Sequence, residues 1–190
     1  MMHQETSGYL TGKLLIATHS VCDGCFDKTV IYLCAHDDEG ALGVVINMPL
    51  TGTTIKTLMQ ELKIKPIVHL PDSPVHFGGP VDTNQGFVLH SNDQKYKGTR
   101  EDASGICFSS GISLLEDIAA GTGPDKRIVA LGCAGWSAGQ LEEELEAGSW
   151  IIAPATTALM FETDAQDKWE KAAGSLGVDL NRLSSEVGHA

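Results

Sequence analysis

The sequence predicts one α+β domain, and two patterns carry that prediction. Near the N-terminus, three short apolar stretches are separated by turns too short to hold a crossover helix, which indicates an antiparallel meander. Further along, apolar strand-like runs alternate with amphipathic helical segments. The chain has 190 residues, of which 42% are hydrophobic. Since one domain usually has roughly 100–200 residues, we expect a single domain over residues 1–190, with residues 1–10 as an N-terminal tail.

The meander occupies the first quarter of the chain. Residues 12–18 are short, apolar and bounded by turn residues, as in a buried strand. Residues 29–35 are rich in β-branched and aromatic side chains, which favour strands. A polar turn then leads to a third strand at residues 42–47. Pro49 and Gly52 are expected to end this unit.

The middle of the chain predicts one helix and three short strands. Within residues 54–62, apolar side chains recur at the spacing of one helical face. Residues 65–74 contain three prolines and are expected to form a loop or an edge segment. Short strands follow at residues 75–77, 87–90 and 106–108, with a polar excursion between the last two.

The last third of the chain predicts three helices that alternate with two strands. A Ser-x-x-Glu capping box, in which the side chains at both ends satisfy backbone N–H groups, predicts a helix start at Ser113. A buried strand at residues 127–133 leads into a glycine-rich turn. A second capping-box pattern predicts a helix start at Ser137. A strand at residues 150–153 and a helix at residues 164–176 follow.

The charge of the chain argues against nucleic-acid binding. Thirteen basic and 25 acidic residues give a net charge of −12, whereas nucleic-acid affinity comes largely from Lys and Arg that neutralise phosphates. The best basic cluster is Lys95, Lys97 and Arg100, which runs straight into Glu101 and Asp102. We interpret it as a solvated loop.

Three further features predict a cytoplasmic protein without a membrane partner. No apolar run approaches the ~18–20 residues that span a bilayer. Residues 1–11 lack the apolar core of a secretory signal. The cysteine count is odd, and three of the five cysteines lie in apolar strand-like runs, which favours reduced thiols over a disulfide framework.

The strand, turn and helix from residue 127 to residue 150 carry most of the functional information. Gly135 and Gly139 permit positive φ angles and a close backbone approach, and Trp136 is expected at the mouth of the turn. This segment predicts a pocket for a small ligand or a partner, with Trp136 as its wall and Gln140 as a hydrogen-bond donor and acceptor. The alternative is an amphipathic helix whose glutamates, including Glu142 and Glu144, form only a solvated face.

The same turn also matches a sequence motif of catalytic serines. Residues 135–139 read Gly-Trp-Ser-Ala-Gly, which matches the Gly-x-Ser-x-Gly pattern of a nucleophile elbow. However, no histidine offers an obvious base for Ser137, and none follows an acid in a suitable order. We therefore interpret Ser137 as a helix N-cap.

Motifs spread over nearly the whole chain support one further inference. They include Gly-Lys-Leu-Leu-Ile-Ala at residues 12–17, Gly-Ala-Leu-Gly-Val-Val-Ile-Asn at residues 40–47, Gly-Gly-Pro-Val at residues 78–81, Gly-Phe-Val-Leu-His at residues 86–90, and Gly-Trp followed by Gly-Gln-Leu-Glu within residues 135–142. Through these motifs the sequence resembles the YqgE/AlgH family of bacterial proteins.

The resemblance implies an α+β fold with a closed, barrel-like sheet, mostly antiparallel or mixed, that is flanked by helices. It implies no agreed enzymatic activity. Some members carry a transcriptional-regulator label, but this chain shows no helix-turn-helix signature. The chain departs from the family pattern after the first strand, where His19 takes the position of a family proline.

Several other residues have a functional interpretation and a structural one. Cys22 and Cys25 have the spacing of a metal or redox pair, but no second cysteine pair completes a zinc site, so two thiols in a turn are favoured. Asp23 and Asn47 lie at chain reversals, where Asx turns are common. Gly79 could cradle an anion but lacks the lysine and helix of a phosphate loop.

His90 ends a predicted strand and could titrate near neutral pH, although a lone histidine there is more often structural. We expect no metal and no other cofactor. The candidate ligand- or partner-binding residues are Asp23, Asn47, Gly79, His90, Gly135, Trp136, Gln140, Glu142 and Glu144.

These observations favour a non-enzymatic binding or regulatory domain, because no complete catalytic constellation accompanies the motif-rich turn. The expected partner is a protein or a small molecule, and the expected state is a monomer or a weak homo-oligomer. The alternative is an enzyme in which Asp23, His90 or Glu142 acts as general acid or base. Direct DNA binding ranks third.

Overall fold

The structure, a computed structural model, describes residues 9–20 and 26–178. These residues form ten strands, four α-helices and one π-helical turn. The strands are β1 (Lys13–Ala17), β2 (Val30–Asp37), β3 (Gly40–Val45), β4 (Pro49–Thr54), β5 (Pro74–Phe77), β6 (Val81–Ser91), β7 (Arg100–Glu101), β8 (Ile106–Ser110), β9 (Arg127–Ser137) and β10 (Trp150–Pro154). The helices are α1 (Ile55–Glu61), α2 (Ile112–Ala120), α3 (Gln140–Glu146) and α4 (Ala165–Gly174), and the π-helical turn is Ala158–Glu162.

The strands form one sheet with the order β10-β1-β2-β3-β9-β6-β8-β7, and β4 and β5 branch from it. Neighbours along this path are antiparallel, and β5 runs parallel to β9. These observations confirm the α+β class and the mostly antiparallel, barrel-like sheet. Within the described residues, however, the strand path ends at β10 and β7, so the sheet is curled but open rather than closed as the resemblance implied.

Strand β9 joins the two halves of the sheet. Its residues up to Cys133 pair with β6, and its last four residues pair with β3. Within the stretch that pairs with β6, Ala130 and Leu131 also pair with β5. Because β9 continues to Ser137, the predicted end of this strand at Cys133 was too early.

The sheet buries both of its faces, and the alternation along β1 shows how. Leu14 and Ile16 belong to the core cluster that includes Trp169 of α4. Leu15 and Ala17 belong to the cluster on the opposite face, which includes Leu141 of α3. Successive side chains of a strand point to opposite faces, so β1 packs against other elements on both sides. A third cluster lies under α1 and α2.

The predicted meander is confirmed as β1, β2 and β3, with antiparallel pairing throughout. Strand β4 was not predicted, because Pro49 and Gly52 were expected to end the unit. β4 pairs only with β5, and its register is interrupted between Pro49 and Thr54. Edge strands tolerate proline and glycine because one side of their backbone needs no partner.

Both predicted capping boxes are wrong. The N-cap of α2 is Gly111, and the N-cap of α3 is Gly139, which adopts a left-handed conformation. Ser137 instead pairs with Gly40 as the last residue of β9, so strand pairing outweighs the local capping signal. A capping box does form at α1, between Thr54 and Thr57.

Candidate functional site

The strand–turn–helix segment lines an open cleft of about 360 Å³, which we call the α3 cleft. β9, α3 and β10 supply most of the lining, and the start of β6 and the chain before β2 supply the rest. The lining residues are Ser20, Phe26, Pro80, Val81, Ala134, Gly135, Trp136, Gln140, Glu144, Ser149 and Trp150.

The Glu144 carboxylate is the centre of the hydrogen-bond network in this cleft. Its Oε2 accepts one hydrogen bond from the indole N–H of Trp136 at 2.8 Å and another from that of Trp150 at 2.7 Å. Its Oε1 accepts a hydrogen bond from Nε2 of Gln140 at 3.0 Å. One carboxylate of α3 therefore holds two tryptophans from strands that lie far apart in the sheet.

The aromatic rings of the cleft also pack against each other. The rings of Trp136 and Trp150 meet edge to face, with centroids 6.1 Å apart, and Phe26 meets Trp150 in the same way at 5.9 Å. Such T-shaped contacts are favourable because the positive ring edge meets the negative face. Both tryptophans are more than nine-tenths buried, so their positions are fixed by packing as well as by Glu144.

The charge of the cleft has a single sign. Of the described residues that line it, Glu144 alone has an ionisable side chain. A carboxylate offers about four acceptor positions, and the three neutral donors occupy two on Oε2 and one on Oε1. One acceptor position on Oε1 and the negative charge therefore remain for a ligand.

Gln140 links the turn to this network. Its Oε1 accepts hydrogen bonds from the backbone N–H of Ser137 at 3.0 Å and from the Ser137 hydroxyl at 3.2 Å. Its amide nitrogen is then free to donate to Glu144. Ser137 is exposed, and its hydroxyl donates to an amide rather than to a base, which is unlike an activated nucleophile.

Glu142 does not line the cleft. Its Oε1 lies 2.7 Å from Nε2 of the buried His36. Because Nδ1 of His36 accepts the backbone N–H of Leu10 at 3.0 Å, Nε2 carries the ring proton and donates it to Glu142. A backbone N–H and His36 both lower the pKa of Glu142. The pair fastens β2 to α3, and the Leu10 hydrogen bond ties the segment before β1 to the same histidine. Nothing in the sequence marked His36 as this partner.

His90 is also distant from the cleft and is fully buried. Its Nδ1 donates to the Ser91 carbonyl at 2.7 Å, so its Nε2 accepts from the Ser109 hydroxyl at 2.9 Å. The Ser109 oxygen in turn lies 2.7 Å from the Thr99 hydroxyl. Burial lowers the pKa of His90. The Ser–His pair resembles a catalytic pair in geometry, but both side chains are buried.

Two other predicted residues have backbone roles. Asn47 accepts the backbone N–H of Val30 at 2.8 Å and donates to the Lys28 carbonyl at 2.9 Å, which holds the start of β2. Gly79 has a φ of 150°, and a Cβ there would overlap the backbone of Cys133. Only glycine fits where β9 crosses this turn.

Asp23, Cys22 and Cys25 lie outside the described residues. Ser20 and Phe26, the described residues that flank them, both line the α3 cleft. Within the described part of the chain, Cys34, Cys107 and Cys133 are buried free thiols, and no three His, Cys, Asp or Glu side chains form a group that could hold a metal ion. No helix of that part is long and apolar enough to cross a membrane.

The structure thus brings together Gly135, Trp136, Gln140 and Glu144, and it separates Asn47, His90 and Glu142 from them. Sequence reasoning missed Trp150, Phe26 and Val81 as lining residues. A signal for Trp150 existed, since it is a large aromatic residue at the start of a strand that directly follows α3. No spacing rule indicates Val81, which reaches the cleft through the pairing of β6 with Cys133.

Comparisons with known proteins agree with this architecture. The AlgH-like family model matches residues 14–181. The UPF0301 protein of Rhodospirillum rubrum is 44% identical over 187 residues, which cover 98% of this chain and 97% of the relative. The UPF0301 protein of Jannaschia sp. is 46% identical over 185 residues, which cover 95% of each chain. These names state no activity.

Two solved structures share the fold. The solution structure of the AlgH protein from Pseudomonas aeruginosa aligns over 100% of both chains with a TM-score of 0.76 and 39% identity. The crystal structure of a Corynebacterium diphtheriae protein aligns over 96% of this chain and 95% of its own, with a TM-score of 0.71. At 20% identity, that second likeness concerns the fold alone. The chain belongs to the YqgE/AlgH family of bacterial proteins.

Proposed function

We propose that this protein is a non-enzymatic binding domain whose α3 cleft takes a positively charged group, an ammonium or a guanidinium. The observation that carries the proposal is the Glu144 carboxylate, which holds two indole N–H groups on one oxygen and keeps one acceptor position on the other. A cationic donor fits that position, because charge-assisted hydrogen bonds are stronger than neutral ones.

The walls of the cleft support a cation as well. Trp136, Trp150 and Phe26 line the same cleft as the carboxylate, and a cation that also reaches the negative face of one of these rings would gain further attraction. No described residue of the lining carries a positive charge that would compete. A volume of about 360 Å³ lies at the lower end of the range for small-ligand pockets, which suits one cationic group and a short carbon chain.

Preorganisation supports binding over catalysis. The two tryptophans, Gln140 and Glu144 fix each other through hydrogen bonds, so a ligand would meet a rigid cleft and little ordering would be required. A general acid or base must lie within hydrogen-bond reach of the reactant. The enzyme alternative has less support, because Glu142 and His90 lie outside this cleft.

The expected location, oligomeric state and class of partner follow from the sequence. We expect the protein to act in the cytoplasm as a monomer or a weak homo-oligomer, and its net charge of −12 disfavours nucleic acid as the partner. The cationic group could belong to a free small amine or to a Lys or Arg side chain of another protein. The same chemistry serves both sources, so the test must separate them.

Tryptophan fluorescence provides that test. A Trp169→Phe background removes the buried tryptophan of α4, so that the remaining signal comes from Trp136 and Trp150. Methylguanidinium and butylammonium should quench or shift this signal saturably, whereas acetate at equal ionic strength should not. A short peptide containing Lys or Arg, compared with its Gln counterpart, separates a protein side chain from a free amine.

Glu144→Gln should weaken binding of these cations at least tenfold, because it removes the charge and keeps the size of the side chain. Glu146→Gln is the matched control, since it removes one charge from the same helix at an exposed position outside the cleft. Equal affinities in the two variants would disprove the proposal. So would saturable binding of acetate in preference to the cations.

A further inference from the structure

A second cavity, of about 510 Å³, lies between the chain leading into β5, the start of β9 and the start of α4. We call it the α4 cavity. It shares no lining residue with the α3 cleft. Its lining is rich in titratable groups, namely His76, Asp125, Lys126, Arg127, Asp164 and Lys168.

His76 is the unusual residue of this cavity. It is only 8% exposed, and its Nδ1 has no hydrogen-bond partner among the described residues. Parallel pairing of His76 with Ala130 fixes its position on β5. Buried polar atoms are nearly always paired, and the His76 ring lines the cavity, so this ring has hydrogen-bonding capacity that no described residue uses.

Lys168 places a fixed positive charge on the same cavity. It is 4% exposed, and its Nζ donates to the carbonyls of Leu159, Met160 and Thr163 at 3.0, 2.6 and 2.8 Å. Burial lowers its pKa to about 8, which leaves the ammonium protonated at neutral pH. Because three carbonyls occupy its protons, Lys168 contributes electrostatic potential rather than a direct hydrogen bond.

The N-terminus of α4 adds to that potential. Thr163, Asp164 and Ala165 line the cavity where the ten-residue helix begins. Asp164 is the N-cap, but its side chain makes no capping hydrogen bond, so the first backbone N–H groups lack that partner. Such a helix start favours an anion.

The charges of the lining point the same way. Three basic side chains, Lys126, Arg127 and Lys168, oppose two carboxylates, in a molecule whose net charge is −12. Lys126 is engaged by Glu162, and Arg127 donates to the Pro124 carbonyl at 2.8 Å. The excess of positive charge among the lining side chains is thus opposite in sign to the net charge of the protein.

We propose that the α4 cavity binds a small oxyanion, a phosphate or carboxylate group, which accepts a hydrogen bond from His76 and lies near Lys168 and the start of α4. The site is independent of the cation site in the α3 cleft. It is suited to a small molecule, because the volume lies within the range of ligand pockets.

Binding of an oxyanion should be linked to a proton. Burial lowers the pKa of His76, and the charge of Lys168 adds to this change. An anion beside the ring favours the charged form of His76. The complex therefore takes up a proton, and affinity should increase as the pH falls from 7.5 to 6.0.

Histidine-ring NMR on the intact protein tests the proposal. Inorganic phosphate and acetate, each at constant ionic strength against chloride, are the probes. We expect saturable shifts of the His76 ring with at least one probe and several-fold tighter binding at pH 6.0 than at pH 7.5. The exposed His69 should not respond. The probe that binds identifies the oxyanion as phosphate, carboxylate or either.

Two variants complete the experiment. His76→Gln should weaken binding at least tenfold, with His69→Gln as the matched control. If His76→Gln is not folded, as judged by backbone amide spectra, Lys126→Gln takes its place and should weaken binding a few-fold. Shifts of His76 that follow chloride as strongly as phosphate and acetate would overturn the proposal. Unchanged affinity in the folded His76→Gln variant would do so as well.

Discussion

The α3 cleft and the α4 cavity differ in the sign of their charge and in whether their polar groups are paired. In the α3 cleft, Glu144 is the one ionisable lining group among the described residues, and its neighbours Trp136, Trp150 and Gln140 all find partners on it. In the α4 cavity, basic side chains outnumber acidic ones among the titratable lining residues, and Nδ1 of His76 is unpaired. In the first region every neighbouring donor is paired with a negatively charged acceptor, whereas in the second a ring nitrogen is unpaired beside positive charge.

The difference shows what net charge can and cannot predict. A net charge of −12 acts at long range and disfavours polyanionic partners such as duplex DNA. It does not determine the ligand of a particular cavity, because a few buried groups such as Lys168 dominate the local potential. The same acidic protein can therefore offer a cation site and an oxyanion site on different elements.

The largest expected effect concerns the completed network. Glu144→Leu leaves two indole N–H groups and the Gln140 amide without their acceptor, and each unpaired, largely buried donor costs about 1–3 kcal/mol. We expect the free energy of unfolding to fall by at least about 3 kcal/mol, measured by urea denaturation. Glu146→Leu, on the exposed side of α3, should change it by less than about 0.5 kcal/mol.

A small effect of Glu144→Leu, equal to that of the Glu146 control, would contradict this description of the α3 cleft. It would mean that the two tryptophans are held by packing alone. Stability that is lost in Glu144→Leu but kept in Glu144→Gln would instead assign the effect to the acceptor oxygens rather than to the charge.

An intermediate effect is expected from pH. Burial lowers the pKa of both His76 and His90, so below about pH 6.5 the unfolded chain binds protons that the folded protein does not. Stability should therefore fall as the pH decreases from 6.5 toward the folded-state pKa values. The slope is at most about 1.4 kcal/mol per pH unit for each histidine. Urea denaturation at pH 7.5, 6.5 and 5.5 measures it.

Adding phosphate or acetate, whichever binds, separates the contribution of His76 to this pH dependence from that of His90. An oxyanion in the α4 cavity stabilises protonated His76 but not His90, which lies in a closed network with Ser109. The bound probe should therefore reduce the slope in the wild type and leave it unchanged in His76→Gln. A probe effect that persists in His76→Gln would show that the anion acts elsewhere.

The smallest expected effect is that of His76→Phe. The ring nitrogen at Nδ1 has no partner in the described structure, so replacement by an apolar ring of similar shape removes an unsatisfied buried group. We expect a change in the free energy of unfolding of less than about 1 kcal/mol in either direction. A loss as large as that of Glu144→Leu would mean that His76 is a structural residue, and the contrast between the two regions would disappear.

The fold was largely predictable from sequence because its strands and helices have strong local patterns. The meander of β1, β2 and β3 followed from apolar runs and short turns. The end of β9 could not be predicted, since pairing of Ser137 with Gly40 depends on a strand almost a hundred residues earlier. For the same reason the capping pattern at Ser137 was misleading.

The α3 cleft was partly predictable because Gly135, Trp136, Gln140 and Glu144 are close in sequence. Glu142 has the same chemistry as Glu144 two positions away, and only the structure shows that it turns to His36 instead. The α4 cavity was not predicted. His76 and Lys168 come from distant segments, and neither lies in a motif that spacing alone would reveal.

The most direct test of the cation site is the response of the indole N–H resonances to methylguanidinium in two-dimensional NMR of the intact protein. Both Trp136 and Trp150 donate to the same oxygen of Glu144, so a cation on that carboxylate should shift both resonances saturably with one common affinity. The Trp169 resonance, whose N–H donates to the Ala17 carbonyl at 2.8 Å, should stay in place. Movement of all three together, or of none, would contradict the assignment of the α3 cleft as a cation site.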